Sequence, residues 1–313
     1  MKTTFAAALI ALAAISTEGA TRARYLMGTV CEITATSEQQ IDAAFAEAER
    51  IEGFLSTWRE DSELSRLNRN HAATVSPELR DLLARTLEWS AKTGGAFNPL
   101  VAPLLEVWKT RGEGAMPDRV ALANAVARTN LKNATIDGSR VALAHDAEVE
   151  EGGFGKGYAL DRMLARIDGN ATINFGGQLI ARGAASVTIA DPAHRDAAVL
   201  ALTLDGASLS TSSGSEKQFV IGGKRYSHLF DPRTGEALPP RGSVSVVASD
   251  ALTADILSTA LYVLGEDEGL RWADAHGIAA IFINPAQEIR RSSAARARLR
   301  DVTVLDDEFK LKD

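Results

Sequence analysis

Apolar side chains recur at helical spacing in some segments of the chain and at strand spacing in others. Ile41, Phe45 and Ile51 give residues 39–55 one apolar face and predict an amphipathic helix. Further helices are predicted over residues 77–93, 118–127, 158–167, 251–264 and 268–276. Strands are predicted over residues 29–36, 135–143, 171–175, 186–189, 199–204, 217–221, 243–248, 279–283 and 303–304. Helices and strands are mixed without strict β-α-β alternation, so the pattern predicts an α+β fold.

The N-terminal segment has a different pattern. Lys2 precedes an apolar run over residues 5–15, and small or polar residues follow to Ala20. This run is shorter than the ~20 apolar residues that a membrane span needs, and its flanks are typical of a secretory signal over residues 1–20. An N-terminal core helix is the alternative interpretation. No cysteine follows the segment directly, so we expect no lipid anchor.

Composition and charge restrict the function of the remaining chain, residues 21–313, which we expect to form one domain without a transmembrane span. Of 313 residues, 45% are hydrophobic and 24% are charged, which excludes wholesale disorder. The net charge of −7 argues against a non-specific nucleic-acid binder, which needs a basic surface. The single cysteine, Cys31, excludes a disulfide framework and a multi-cysteine zinc site. Together with the predicted signal over residues 1–20, this leads us to expect an exported, periplasmic protein.

A glycine-rich stretch surrounds Lys156. Four glycines lie within residues 152–157, and such a backbone can approach a ligand closely while its amides and the lysine hold a phosphate. The spacing matches neither a Walker A loop nor the G-x-G-x-x-G fingerprint. A glycine-rich turn that leads into a helix is the alternative interpretation.

Two further places carry candidate chemistry. Asp255 and Thr259 lie four residues apart in an apolar helix, so their oxygens share one face and suit Mg²⁺. Alternatively, Asp255 stabilises the helix N-terminus and Thr259 bonds back to the preceding turn. His228 follows a predicted strand and precedes an Asp-Pro turn, where it acts either as a proton acceptor or as a structural residue.

Taken together and in order, these pieces resemble the ApbE family of FAD:protein FMN transferases. The resemblance runs from Met27 to Gly265. The blocks that carry it are MGT at 27–29, STW at 56–58 with DSELSRLN at 61–68, GGAFNPLVAPLLEVW at 94–108, GGFGKGYALD at 152–161, NFGG at 174–177, TSSG at 211–214, YSHLFDPRTG at 226–235 and ADILSTALYVLG at 254–265.

The resemblance implies an α+β domain with an FAD cleft between mixed helix and sheet subdomains, and a reaction in which FMN moves from FAD to a threonine or serine hydroxyl while AMP leaves. It implies that Mg²⁺ bridges the FAD pyrophosphate, and that the acceptors are subunits or domains of electron-transfer systems. The implied metal ligands are Gly153, Asp255 and Thr259. The implied flavin-nucleotide contacts are Met27, Trp58, Ala96, Phe97, Asn98, Glu150, Lys156, His228 and Leu229. Asp255, Lys156 and His228 are the implied catalytic residues.

The chain departs from the family pattern at several positions. Asn98 and Glu150 stand where the family usually has aspartate, acidic Glu151 occupies a usually apolar position, and Gln178 follows the glycine pair. Because these positions surround one ligand, they keep a second function open. In that function the protein binds FAD, or hydrolyses it to FMN and AMP, without a protein acceptor.

Overall fold

Seventeen strands are present in residues 19–312, the part of the chain that the computed structural model describes. Residues 1–18, most of the expected signal segment, lie outside this range. The strands are β1 (Ala20–Leu26), β2 (Thr29–Ala35), β3 (Ala72–Thr74), β4 (Ala134–Asp137), β5 (Arg140–Leu143), β6 (Ala171–Phe175), β7 (Gln178–Arg182), β8 (Ala184–Ala190), β9 (Ala198–Asp205), β10 (Ser208–Ser213), β11 (Gln218–Ile221), β12 (Lys224–Ser227), β13 (Ser243–Ala248), β14 (Ala279–Ile283), β15 (Glu288–Arg291), β16 (Arg300–Val304) and β17 (Lys310–Lys312).

Helices separate the strands at irregular intervals. They are α1 (Glu38–Leu55), α2 (Glu63–Asn70), α3 (Pro77–Lys92), α4 (Ala102–Val107), α5 (Arg119–Arg128), α6 (Gly155–Leu164), α7 (Ala251–Leu264), α8 (Glu266–His276) and α9 (Ser293–Arg298), with short 3₁₀ turns at Leu131–Asn133 and Glu151–Gly153. Within the described residues, no helix combines the length and the apolarity that crossing a bilayer requires.

Nine of the strands form one sheet in the order β1-β2-β6-β7-β10-β13-β14-β15-β17. Neighbouring strands are antiparallel except for β15 and β17, which are parallel. The two edge strands are largely exposed: Arg22 and Arg24 lie on β1, and Lys310 and Lys312 lie on β17. Smaller sheets are β16-β9-β8, β3-β5-β4 and the hairpin β11-β12.

The centre of the large sheet is covered on both faces, which explains its continuous apolar runs. In β14 every residue is buried; Phe282 belongs to the core cluster that contains α1, α6 and α7, while Ile281 belongs to a second cluster with β8 and β9. Successive side chains of a strand point to opposite faces, so a sheet buried on both faces needs no polar alternation. A third cluster surrounds Trp108 and joins α4 and α5 to the β11–β12 hairpin.

The mixed helix and sheet architecture confirms the predicted α+β fold. The bounds predicted for α7, β13 and β14 agree with the structure, and most other predicted elements differ from it by a few residues. The single strand predicted over residues 135–143 is wrong. The chain there forms a hairpin, because Gly138 takes a positive φ of 57° and lets β4 turn back into β5.

Candidate active site

A cavity of about 270 Å³ lies between α7, the end of β10 and the Trp108 cluster. It collects residues from distant parts of the chain. Those predicted from the sequence that line it are Trp58, Ala96, Phe97, Asn98, Glu150, Gly153, Lys156, His228, Leu229, Asp255 and Thr259. A wider groove of about 1010 Å³ adjoins it and shares Leu105, Arg111 and Glu150.

Met27 is the one predicted flavin contact that does not line this cavity. Its backbone has a positive φ of 45°, and its amide donates a hydrogen bond to Glu52 Oε1 at 3.2 Å. Its methyl group packs near Gly155 at the start of α6, where a Cβ would lie 3.7 Å away. The structure thus places Met27 beside the first turn of α6, and a flavin contact there stays a prediction.

Asp255 lies on the wall of the cavity and is 6% exposed. Its Oδ2 accepts a hydrogen bond from Gly157 N at 2.9 Å, and within residues 19–312 its Oδ1 accepts none. Burial raises the pKa of Asp255 to about 6, although the Lys156 charge and the Gly157 amide oppose the rise. The carboxylate is therefore held in place, but no arginine or lysine of the described residues lies within 4 Å of it.

Gly157 permits this arrangement. A Cβ at this position would lie 2.4 Å from Ala251 O and 2.7 Å from Asp255 Cβ, so only glycine allows α6 to approach α7 so closely. Asp161, one turn further along α6, accepts hydrogen bonds from the first two amides of α7, Ala251 N at 2.7 Å and Leu252 N at 3.0 Å. The glycine-rich block therefore fixes the start of α7, on which Asp255 lies.

Oxygen atoms surround the Asp255 end of the cavity. A Cβ placed on Gly153 would lie 3.6 Å from Thr259 Oγ1, which shows that the 3₁₀ turn at Glu151–Gly153 abuts α7. Ser212 Oγ lies 3.5 Å from Thr259 Oγ1 and 2.9 Å from Ser258 Oγ. Gln178 is 3% exposed, and its Oε1 is buried without a partner in the described residues. This collection of carboxylate, hydroxyl and amide oxygens is the donor type that hard cations prefer.

The mouth of the cavity carries an aromatic and charged group. Trp58 is 69% exposed, and the Arg111 guanidinium lies 4.3 Å from its ring centroid. Arg111 also donates to Thr57 Oγ1 at 3.1 Å and forms an ion pair with Glu150 at 3.4 Å. Burial and the adjacent Glu151 carboxylate raise the pKa of Glu150 to about 7, against the effect of Arg111. The position of Arg111 has no sequence signal, and the sequence prediction missed it.

Two departures from the family pattern have structural partners here. Asn98 Nδ2 donates to Thr129 O at 2.8 Å, and Asn98 Oδ1 accepts from Leu100 N at 2.8 Å, so both ends of the amide serve the fold. Glu151 is 9% exposed; its Oε1 accepts from Thr57 N at 3.0 Å, whereas Oε2 has no partner in the described residues.

His228 lines the same cavity as the glycine-rich block. Its Nδ1 is 3.2 Å from Lys217 O, and its Nε2 is 3.9 Å from Glu216 Oε2. Burial lowers the pKa of His228, and the Glu216 carboxylate opposes this. Glu216 lines the cavity two residues beyond the TSSG block and was also missed from the sequence.

No group of three or more histidine, cysteine, aspartate or glutamate side chains in residues 19–312 is placed to hold a metal ion. Among the three predicted metal ligands, Gly153, Asp255 and Thr259, Asp255 supplies the one carboxylate. A cation at this position would need the Thr259 hydroxyl, backbone oxygens and substrate oxygens to complete its ligands.

Comparison with known proteins agrees with the geometry. The model of the ApbE family matches residues 27–282. The FAD:protein FMN transferase of Klebsiella pneumoniae (strain 342) is 32% identical over 291 residues, which cover 82% of each chain. That of Treponema pallidum (strain Nichols) is 30% identical over 93% of this chain and 91% of its own.

Solved structures give the same answer. The apo form of the Pseudomonas stutzeri flavinyl transferase ApbE superposes with a TM-score of 0.80 at 28% identity, covering 89% of this chain and 96% of that one. The ApbE protein of Thermotoga maritima superposes with a TM-score of 0.82 at 28% identity, covering 89% of this chain and 98% of that one. The resemblance inferred from the ordered sequence blocks is therefore confirmed, and this chain belongs to the ApbE family.

Proposed function

We propose that this protein is an FAD:protein FMN transferase, which moves FMN from FAD to an acceptor protein. The observation that carries the proposal is one cavity that holds His228, the glycine-rich block and the buried Asp255 carboxylate, which has no arginine or lysine within 4 Å in the described residues. Family membership supports the reaction class, since the similar proteins from Klebsiella and Treponema carry this name.

The residues fit magnesium as the metal of this site. Asp255 supplies a buried carboxylate oxygen without a hydrogen-bond donor in the described residues, and Thr259 supplies a hydroxyl oxygen close to Gly153. Magnesium often takes one or two protein carboxylates and completes its ligands with water and substrate phosphates, so one carboxylate is sufficient. When bound, the ion neutralises pyrophosphate charge and polarises the phosphorus–oxygen bonds.

The reaction forms one phosphorus–oxygen bond and breaks another. The oxygen of a threonine or serine hydroxyl on the acceptor bonds to the flavin-side phosphorus of FAD, and the bond from that phosphorus to the bridging oxygen breaks, so that AMP leaves. The hydroxyl proton passes to His228 Nε2 and then to solvent. Because phosphoryl transfer depends mainly on alignment and charge, the protein has to position the groups rather than form a covalent intermediate.

The remaining residues bind and orient the substrate in this proposal. Lys156, in the first turn of α6, brings a positive charge to the Asp255 side of the cavity. The exposed ring of Trp58 offers a flat surface at the mouth on which the isoalloxazine can stack. The isoalloxazine takes either the ring face that Arg111 leaves free or the face that Arg111 now covers. Ala96, Phe97, Asn98 and Leu229 supply the walls.

The place of action is also part of the proposal. Residues 1–20 act as a secretory signal, and residues 21–313 form the mature, periplasmic domain. The acceptors are subunits or domains of electron-transfer systems, which need covalently held flavin.

Intact-protein mass spectrometry tests the reaction. A candidate acceptor domain is incubated with the mature enzyme, FAD and Mg²⁺, and a parallel sample contains EDTA. We expect a gain of one FMN by the acceptor in the magnesium sample alone. FAD that is cleaved to FMN and AMP, or stays intact, without a modified acceptor contradicts the proposal, provided that a transferase of established activity modifies the same domain.

A further inference from the structure

Glu216 lies where the main cavity meets a smaller groove next to it. The residue follows β10, and its side chain lines both spaces and is 30% exposed. Nitrogen atoms of two side chains lie near its carboxylate: His228 Nε2 is 3.9 Å from its Oε2, and Arg195 Nη2 is 3.7 Å from its Oε1. The reaction described above gives Glu216 no role.

The orientation of the His228 ring follows from its other nitrogen. Nδ1 lies 3.2 Å from Lys217 O, and the His228 main-chain N donates to the same oxygen at 3.0 Å. A carbonyl oxygen only accepts hydrogen bonds, so Nδ1 carries the proton in the neutral ring. The lone pair is therefore on Nε2, the nitrogen that faces Glu216.

The charges around the ring oppose one another. Lys156, from α6, and Lys217, from the turn after β10, both lower the pKa of His228, as does burial, whereas Glu216 raises it. Among the described residues, Glu216 supplies the one carboxylate within 4 Å of the ring nitrogens. Arg195 contacts this carboxylate from the far side and restricts its position.

We propose that Glu216 is a positioning residue that acts through His228. Lys217 O fixes the direction of Nε2, and Glu216 stabilises the ring once Nε2 has taken the proton of the acceptor hydroxyl. The separation of 3.9 Å leaves the Nε2 lone pair open to that hydroxyl in the resting protein and brings an anion close to the imidazolium that forms. The inference rests on the proposed transferase function.

The first test needs no substrate. NMR titration of ¹⁵N-labelled histidines in the mature protein measures the pKa of His228, whose signals are those absent in His228→Gln. We expect Glu216→Gln to lower this pKa by about one unit, since an opposite charge at this range favours the protonated form. Glu216→Asp retains part of the effect, and Glu236→Gln, which removes a charge from an exposed turn, leaves it unchanged. An unchanged pKa in a folded Glu216→Gln protein overturns the inference.

The second test follows transfer as a function of pH. A proton acceptor must be neutral, so activity falls below its pKa; in Glu216→Gln the acid limb of kcat moves to lower pH and the plateau falls roughly tenfold because the base is weaker. The KM for FAD stays within about twofold. A loss of kcat with an unmoved acid limb assigns Glu216 a merely structural role and overturns the inference.

The double variant separates action through His228 from independent action. If Glu216 acts through the ring, Glu216→Gln causes no further loss of kcat in a His228→Gln background, as expected for residues that work as a unit. Independent, multiplied losses overturn the inference. Wild-type protein that binds FAD but modifies no acceptor overturns the transferase function instead, and the NMR titration still reports on the Glu216–His228 pair.

Discussion

Two buried acids in this molecule have opposite surroundings. Glu47, on α1, is 4% exposed and meets three arginines: Arg50 at 2.8 Å, Arg166 at 2.9 Å and Arg162 at 3.4 Å. Hydrogen bonding from Arg50 leads the effects that lower the pKa of Glu47 to about 2. Asp255 is buried to a similar degree but has no arginine or lysine within 4 Å in the described residues, and burial raises its pKa to about 6.

The difference in charged partners distinguishes an acid that stabilises the fold, Glu47, from an acid that is available to bind a ligand, Asp255. An ionised carboxylate that loses its water shell needs opposite charge or hydrogen bonds, and the fold provides these for Glu47 where α1 meets α6. At Asp255 the fold provides one amide and leaves one oxygen toward the cavity. A buried group that the protein itself leaves under-compensated marks a functional site.

The largest expected effect comes from removing the Asp255 carboxylate. Asp255→Ala should lower FMN transfer more than about 100-fold, because a metal ligand contributes several kcal/mol to the reaction. The unfolding temperature should stay the same or rise, since an unpaired buried charge is lost. Mass spectrometry of the acceptor and a thermal melt measure the two quantities. The exposed Asp307→Asn is the control, and undiminished transfer by Asp255→Ala refutes the metal assignment.

Removing the Glu47 carboxylate should lower stability and leave transfer unchanged, the reverse of the result expected for Asp255. Glu47→Gln removes the carboxylate common to three arginines, of which Arg50 and Arg162 keep Glu78, and should lower the free energy of unfolding by about 2 kcal/mol, a value reduced because the arginines are themselves partly exposed. Transfer by the folded variant should be unchanged. Urea unfolding measures the effect. Glu49 lies on the same helix as Glu47; Glu49→Gln breaks its exposed ion pair with Arg24 of β1 and should change stability by less than about 0.5 kcal/mol. Equal losses of unfolding free energy in Glu47→Gln and Glu49→Gln would contradict the special role of the buried Glu47.

The two acids should also give opposite pH dependence. The lowered pKa of Glu47 means that its stabilisation is present above about pH 4.5 and disappears as the pH falls toward 2. The raised pKa of Asp255 means that its ionised form destabilises the fold above pH 6, and this cost disappears as the pH falls below 4. Asp255→Asn should therefore be more stable than wild type by about 1 kcal/mol at pH 7 and equal to it near pH 3.5. Urea midpoints across this range, without magnesium, check both signs.

The smallest expected effect comes from adding a carboxylate to the cavity that contains Asp255, at position 98. Asn98→Asp removes the donor to Thr129 O, so it should cost about 1 kcal/mol of stability and leave transfer no higher than in wild type. Asn130→Asp is the matched control, because within residues 19–312 the Asn130 side chain uses its oxygen, as acceptor from Lys132 N, and not its amide nitrogen. A marked gain in transfer by Asn98→Asp would show that the family's usual aspartate has a direct role in catalysis here.

The sequence predicted secondary structure best in segments whose pattern of apolar residues matches the way they are buried. Helix α7 and strand β14 are buried on all sides, and their long apolar runs leave little choice of structure. Strand β10 was missed, because its sequence SLSTSS has the composition of a loop. In the folded protein its hydroxyls exchange water for partners on a distant element: Ser210 and Ser212 both contact Ser258 on α7. Such compensation joins residues far apart in the chain, and no local pattern reports it.

The candidate site was predicted through the resemblance rather than through chemistry. The pair Asp255 and Thr259 is ordinary in a helix, and only the ordered blocks around it indicate a metal site. The functional contacts of these residues stay predictions, but the structure brings all of them except Met27 to one cavity. Arg111 and Glu216 carry no motif, because their place depends on the meeting of α4, β10 and the turn that holds His228. Three-dimensional contact, not spacing, identifies them.

The charged edge strands of the large sheet have a consequence for behaviour at high concentration. An unpaired edge is a template on which the sheet of another copy can add. At one edge β1 presents Arg22 and Arg24, and at the other β17 presents Lys310 and Lys312. Arg22, Arg24 and Lys312 form exposed ion pairs with Asp42, Glu49 and Glu288, so a second copy must displace water and disturb the pairs before backbone hydrogen bonds can form. Charged side chains thus occupy both edge strands, where growth into fibrils would otherwise begin.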